Sequence, residues 1–396
     1  MNAEIVALQD NHTWELTDLP PGKTLIGCKW IFKVKLRSDG TVERHKARLV
    51  AKGFTQQFGV DYLETFSPVA RLTTIRTLLA VTTSKDWNIH QMDVNNAFLH
   101  DDLNEDVYMV LPPGFQSEKP NQVCKLLRSL YGLKQASRQW NEKLSSALLQ
   151  IGFQQSKTEP SLLTKGVDDN FIALLIYVDD IIAASPSIQA INAVKEFLDA
   201  AFKIKDLGSI SYFLGIEARK VNGGLNLCQR KFALDILDEA GFIDCKPARS
   251  PMAQGLKLTH DDVTPLPDPS SYRRLVGRML YLTATRPDIA YYVQQLSQFV
   301  DCPTDKHMLA AHRILRYIKQ APGQGLLFPK HSELHLNVFS DSDWAACSES
   351  RKSITSYCVF LGNALISWKS KKQSTVSRSS SEAEYRALAA TTCEIQ

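Results

Sequence analysis

Nowhere does the chain hold an apolar character for the roughly 18 residues that a membrane-spanning helix needs, so no such span is expected. Its first residues, Met1-Asn2-Ala3-Glu4, carry no basic or apolar leader, which predicts an intracellular protein, in a cytoplasmic particle or the nucleus, and not a secreted one. The cysteines at 28, 124, 228, 245, 302, 347, 358 and 393 form no C-x-x-C pair and no Cys/His ligand spacing. That argues against structural zinc and a disulfide framework and predicts reduced core thiols. Internal repeats and low-complexity tracts are lacking too. What remains, 396 residues at 44% hydrophobic and 22% charged, is a globular composition long enough for two or three domains.

Net charge is small, +4 over the chain, but it is unevenly spread. Lys29, Lys33, Lys35, Arg37, Arg44, Lys46, Arg48 and Lys52 face only Asp39 and Glu43. Within this segment Trp30, Phe32, Val34 and Leu36 alternate with Lys29, Ile31, Lys33 and Lys35, and Ser38-Asp39-Gly40 offers a turn. The pattern predicts a β-hairpin with one apolar and one cationic face, Arg44, Lys46 and Arg48 sharing a side of the return strand. Such a ribbon can lie along phosphates or simply present a solvated lysine face.

In KQASRQWNEKLSSALLQIGF, Ala136, Trp140, Leu144 and Leu148 recur every four residues and Gly152 can end the helix. The first turns carry Lys134, Gln135 and Arg138, which can address a nucleotide or water. From about residue 246 to 269 the composition shifts to Pro, Asp and Thr, which predicts an exposed connection. Residues 271–320 read as two or three helices. From Leu334 the pattern predicts a strand, then a hairpin turning at Gly362-Asn363, then a helix opened by the capping pair Ser379 and Glu382.

The stretch FIALLIYVDDIIAAS sets Asp179 and Asp180 between two apolar runs. Aspartates capping an ordinary turn are one explanation. Burying ionised carboxylates side by side costs several kcal/mol unless positive charge is near, which gives the other. Upstream, WNIHQMDVNNAF places Asp93 at the end of a strand-like stretch, close to Phe98. Three convergent carboxylates can hold two divalent cations, an arrangement suited to phosphoryl transfer in nucleases and polymerases alike.

The motifs ERHKARLVAKGFTQQFGVDYLETFSPVARLTTIR, QMDVNNAFLH, VYMVLPPGF, SLYGLKQASRQW, LLIYVDDIIAAS and KDLGSISYFLGIEA follow in order. Together they resemble the reverse transcriptase of copia-type LTR retrotransposons, with a plant-like character. SDSDWAACSESRKSITSYCVFLGNALISWKSKKQSTVSRSSSEAEYRALAATTCEIQ resembles the start of the RNase H region of such Pol polyproteins. The likeness covers nearly the whole chain.

The resemblance implies an α+β fold, a right-hand polymerase with fingers, an antiparallel-sheet palm and a thumb, followed by a helical connection and an incomplete RNase H-like α/β domain. It divides the chain into 1–245 (fingers and palm), 246–333 (linker and thumb or connection) and 334–396 (truncated RNase H-like part). Asp93, Asp179 and Asp180 match the metal-binding triad, and Phe98 the ring that rejects a ribose 2′-hydroxyl. Lys29, Lys33 and Arg48 fall where the fingers meet the incoming triphosphate. Gly132, Lys134 and Gln135 lie in the template and nucleotide platform, and Phe213-Leu214-Gly215 resembles the primer grip. The implied partners are an RNA template, a DNA primer, dNTPs and other Pol and Gag products, with Mg²⁺ as cofactor and Mn²⁺ as an alternative.

Two positions depart from the family pattern: Ser137 stands where Pro is usual and Asp101 where Gly is usual. Of the RNase H acids, Asp341 and Glu384 match but the later ones are not reached, so that segment is expected to be poorly ordered, with hydrolysis absent or very weak. The reading is of a fragment of a larger product. Its rival is a transposon remnant that binds nucleic acid without catalysis.

Overall fold

A computed structural model describes residues 1–36, 41–115, 117, 119–260 and 264–396. Two compact units emerge, one from residues 1–70 and 89–208 and one from 71–88 and 209–396.

The first unit is built on a six-stranded sheet ordered Ile204–Ser209, Asn88–Val94, Asp180–Ser185, Ile172–Tyr177, Leu162–Lys165, Gln154–Gln155. The hairpin Ile172–Tyr177/Asp180–Ser185 is antiparallel, and almost every residue of both strands is buried. This explains the unbroken apolar runs, since a strand covered on both faces has no polar alternation. The helices Ala136–Gln150 and Ile188–Phe202 send Trp140, Leu144, Leu148, Ile191, Leu198 and Phe202 into the same core as Met92, Leu174, Ile176 and Ile181. Each such side chain contributes roughly 1.5–3 kcal/mol by leaving water. The four-residue spacing of Ala136, Trp140, Leu144 and Leu148 is the buried stripe of the first helix, all four being nearly inaccessible. Gly152 adopts φ +91 just beyond its end, and its amide returns to the Leu149 carbonyl at 3.0 Å.

The basic segment forms an antiparallel ribbon, Cys28–Leu36 with Val42–Ala51. Its turn at Ser38-Asp39-Gly40, with Arg37, lies outside the described residues. The register sets Lys33 opposite Lys46 and Ile31 opposite Arg48, so the cations share one face as the alternation predicts. The apolar face is covered only near its root, where Leu49 is buried and the Trp30 indole donates to the Pro113 carbonyl at 3.0 Å; farther out Phe32 is 67% exposed.

In the second unit, helix Leu72–Ser84 packs with an antiparallel sheet of Tyr212–Phe213, Ile216–Val221, Gly224–Cys228 and Leu326–Pro329. Helices Arg230–Glu239, Pro269–Leu282, Pro287–Leu296 and Asp305–Gln320 share one core through Leu237, Tyr272, Val276, Val293, Ile314 and Leu315. Arg76 is buried without a carboxylate partner among its contacts. Its guanidinium lies 4.1 Å from the Trp368 ring and donates to the Ala284 and Ile366 carbonyls, and burial lowers its pKa to about 10.

The connection after residue 245 is irregular and largely exposed among its described residues, and it is tied down locally: the Ala248 amide donates to the Arg316 carbonyl, the Arg316 guanidinium to the Lys246 carbonyl, and Arg313 to Ser250 Oγ. One expectation needs correction here. Residues 334–396, expected to be poorly ordered, take regular structure instead. Strands Leu336–Asp343, Ile354–Leu361 and Ala364–Lys372 form an antiparallel sheet, and helix Ser380–Ile395 buries Ala383, Ala387 and Thr391 against it. Three antiparallel strands with one covered face suffice to hold each other. Ser379 Oγ accepts from the Glu382 amide at 3.1 Å and Glu382 accepts from the Arg378 amide at 2.8 Å, the capping arrangement expected. Among the described residues no helix is long and apolar enough to cross a membrane.

Candidate active site

Because Tyr177 pairs with Asp180, the turn between the two buried strands contains only Val178 and Asp179. Val178 sits at φ +56, a left-handed conformation that a β-branched residue takes only under constraint. The tight two-residue turn calls for it, and Trp140 braces the turn, its indole N–H donating to the Val178 carbonyl at 2.8 Å. On the neighbouring strand the Val94 amide donates to the Asp179 carbonyl at 2.9 Å, which sets Asp93 beside the turn. Asp93 and Asp180 therefore rise from adjacent strands, with Asp179 in the turn that leads into the second of them.

Their electrostatics agree with that placement. Burial, followed by the charges of Asp179 and Asp93, pushes Asp180 up to about 6, against a weak opposing contact from the Gln91 amide at 3.4 Å. Burial and Asp179 also raise Asp93, while Lys205, Lys46 and Arg48 pull it back. Half-buried carboxylates that repel one another are a donor set that hard divalent cations relieve. Among the described residues no group of three His, Cys, Asp or Glu side chains is placed so that it could hold a metal ion as it stands. The fit to a divalent ion thus rests on charge and oxygen chemistry.

Phe98 belongs to a short 3₁₀ turn, Ala97–His100, entered through Asn96 at φ +51. Its ring is 9% exposed and meets the Tyr131 ring edge-on, centroids 4.7 Å apart. Above Tyr131 lies the Arg48 guanidinium, 3.8 Å from the ring centroid. The Tyr131 carbonyl accepts from the Ala51 amide at 2.8 Å, joining this segment to the root of the basic ribbon. That approach requires glycine next door: Gly132 has φ +94, and a Cβ there would lie 2.2 Å from the Ala51 carbonyl oxygen.

Lys134 is half-buried and Gln135 buried, and both are engaged by other parts of the chain. Lys134 Nζ donates to the Gln56 carbonyl at 3.1 Å and the Tyr62 hydroxyl at 3.2 Å. Gln135 is fully buried, its oxygen accepting from the Gln56 side chain and its nitrogen donating to the Asp61 carbonyl, both at 3.0 Å. Both residues hold the segment Gln56–Tyr62. Lys29 and Lys33 are exposed on the cationic face that also holds Lys46 and Arg48.

The departures from the family pattern are accommodated locally. Asp101 has φ −105, so its backbone does not demand glycine, and Lys143 lies 3.8 Å from its half-buried carboxylate. The Ser137 carbonyl accepts from Ser67 Oγ at 3.0 Å.

Phe213, Leu214 and Gly215 belong to the second unit. Leu214 (φ +48) and Gly215 (φ +73) form the two-residue turn between Tyr212–Phe213 and Ile216–Val221, and the Leu214 carbonyl accepts from the Tyr281 hydroxyl at 2.5 Å. In the same unit Asp341 is exposed on its strand, and Glu384 accepts from the Ser342 amide at 3.2 Å.

Lys205 and Tyr131 were missed by sequence reasoning as site residues, whereas Lys46 was placed on the cationic face of the ribbon. Lys205 acts on Asp93 from a strand more than a hundred residues later and leaves no local signal.

The family described as "Reverse transcriptase (RNA-dependent DNA polymerase)" matches residues 11–254. The chain belongs to that family. This reverse transcriptase chain is 47% identical over 398 residues to the "Retrovirus-related Pol polyprotein from transposon RE1" of Arabidopsis thaliana, covering all of this chain and 27% of that protein. It is 38% identical over 402 residues to the corresponding polyprotein from transposon TNT 1-94 of Nicotiana tabacum, covering 99% of this chain and 30% of that one. The copia-type, plant-like resemblance seen in the motifs therefore holds along the full length. The chain spans a little over a quarter of these curated relatives. Among solved structures, the foamy viral protease-reverse transcriptase in complex with dsDNA matches with a TM-score of 0.51 at 12% identity, over 99% of this chain and 69% of that one. At that identity the likeness speaks for the fold, a polymerase fold of mixed α/β content.

Proposed function

We propose that the chain is an RNA-directed DNA polymerase that extends a DNA primer on an RNA template. The observation that carries this reading is the placement of Asp93 and Asp180 on adjacent strands with Asp179 in the turn before Asp180, and with Asp180 pushed up to about 6 by burial and its two neighbours. These carboxylates would hold two Mg²⁺ ions, with Mn²⁺ as an alternative; when bound, such ions activate the primer 3′-hydroxyl and steady the leaving pyrophosphate. The remaining roles fall to the chain itself. Lys29, Lys33 and Arg48, joined by Lys46, neutralise the incoming triphosphate. Phe98 presents a ring that excludes a ribose 2′-hydroxyl. Lys134 and Gln135 keep the Gln56–Tyr62 segment in place.

In this reading residues 1–245 are fingers and palm, 246–333 the linker and thumb or connection, and 334–396 an RNase H-like part; Phe213-Leu214-Gly215 grips the primer. The partners are RNA, DNA primer, dNTPs and other Pol and Gag products.

Primer extension on an RNA template with dNTPs and Mg²⁺ tests the proposal, run beside the Asp179→Asn, Asp180→Asn double variant. Extension by the parent and not by the variant is expected. No extension by a folded parent that binds the duplex would leave nucleic-acid binding without catalysis. For the second acidic pair, Asp341 and Glu384 alone are too few to hold two ions well. Release of labelled RNA fragments from an RNA:DNA duplex by residues 1–396 is therefore expected to be very weak, and robust metal-dependent release would refute it.

A further inference from the structure

The geometry points to Tyr131 as a positioning residue for nucleotide selection, one that sets the Phe98 ring and the Arg48 guanidinium against each other so that deoxynucleoside triphosphates are preferred. This inference rests on the polymerase reading of the same site. Three contacts meet in the one residue: the Arg48 guanidinium 3.8 Å over its ring, the Phe98 ring 4.7 Å away at 64°, and the Ala51 amide on its carbonyl at 2.8 Å.

The two partners are held differently. Arg48 is half-buried near the root of the two-stranded ribbon, and its guanidinium lies over the Tyr131 ring. Phe98 is packed into the core of the first unit, but the single 3₁₀ turn that carries it is a short element with few backbone bonds of its own, and the Tyr131 ring meets its ring edge-on. A cation above one ring and an aromatic edge beside it fix each other's orientation more tightly than apolar contact does. Tyr131 itself is half-buried, unlike the fully buried Leu130 before it. Its position follows from the tight approach at Gly132, which no side chain tolerates.

A mere packing role predicts lost stability with nucleotide preference intact; a positioning role predicts the reverse. Single-nucleotide incorporation opposite an RNA template separates them, comparing kcat/KM for a dNTP and its matching rNTP in the parent, Tyr131→Phe, Tyr131→Leu and Tyr131→Ala. Tyr131→Phe keeps the ring and is expected to hold the dNTP/rNTP ratio within about twofold, while Tyr131→Leu and Tyr131→Ala lower it about tenfold with primer-duplex Kd unchanged. An unchanged ratio in folded Tyr131→Leu or Tyr131→Ala, whatever happens to kcat, overturns the inference. Failure of both to fold while Tyr131→Phe folds assigns the ring to the core and overturns it as well. A parent that extends with neither nucleotide sinks the polymerase reading itself, whereas an active parent with an unmoved ratio sinks the role of Tyr131 alone.

Discussion

Asp180→Asn is expected to make the metal-free protein more stable near neutral pH while lowering primer extension by about 10³-fold or more. The two effects have one origin. In the folded chain Asp180 is crowded by burial and by Asp179 and Asp93, which together raise it from 3.8 to about 6. A carboxylate whose folded pKa lies above its unfolded one binds its proton more tightly in the native state, so stability falls as pH rises between those two values. The penalty is complete above about 6 and absent below about 4. An uncharged amide of the same shape escapes it. Melting temperatures in a chelator should thus favour the variant near pH 7.5 and converge near pH 4. Added Mg²⁺ should then raise the parent more than the variant, because ions that bind only the native state stabilise it and the variant has lost a ligand. A variant less stable than the parent near pH 7.5 in chelator, or one that still extends primers, would contradict this account of the site.

How much of this was legible in the sequence depends on whether the cause is local. The hairpin at 171–185 was readable because its strands are buried on both faces and only the turn can carry charge, so the aspartates mark the tip. The cationic face of the ribbon was readable because register in a hairpin follows from alternation. The helix from Ala136 was readable from a four-residue stripe. Gln135 was not: its amide is satisfied at both ends inside the protein, by Gln56 and Asp61, and nothing in KQASRQW distinguishes a buried glutamine from a solvated one. Lys205 and Tyr131 were missed because their partners arrive from distant strands. The connection after residue 245 has the composition of an exposed linker, which does not reveal that Arg316, 70 residues on, holds the Lys246 carbonyl and that Arg313 holds Ser250 Oγ. Residues 334–396 were expected to be disordered on the strength of missing catalytic acids. Catalytic completeness and packing are separate matters, and three paired strands under a capped helix satisfy the second.

Trp140→Ala is expected to be the most damaging single change to the first unit, by about 3–5 kcal/mol, because a fully buried indole leaves a large cavity. Trp140 is 1% exposed and meets the Phe202 ring at 5.2 Å, edge to face. Trp140→Phe is the more informative variant. It fills much of the space but gives no donor to the Val178 carbonyl, and a carbonyl left without its partner costs about 1–3 kcal/mol. That carbonyl belongs to a valine held at φ +56, and such strain persists only while the surroundings impose it. Once the indole bond is gone the turn can relax, and Asp179 and Asp180 turn with it. The carboxylates must be held within about 0.5 Å of their working positions, so a lower kcat with unchanged affinity for the primer duplex is the expected signature. Denaturant unfolding followed by intrinsic fluorescence or circular dichroism gives the first quantity and primer extension the second. If Trp140→Phe unfolds like the parent and extends primers at the same rate, the indole is packing material only and the turn is held by its strands.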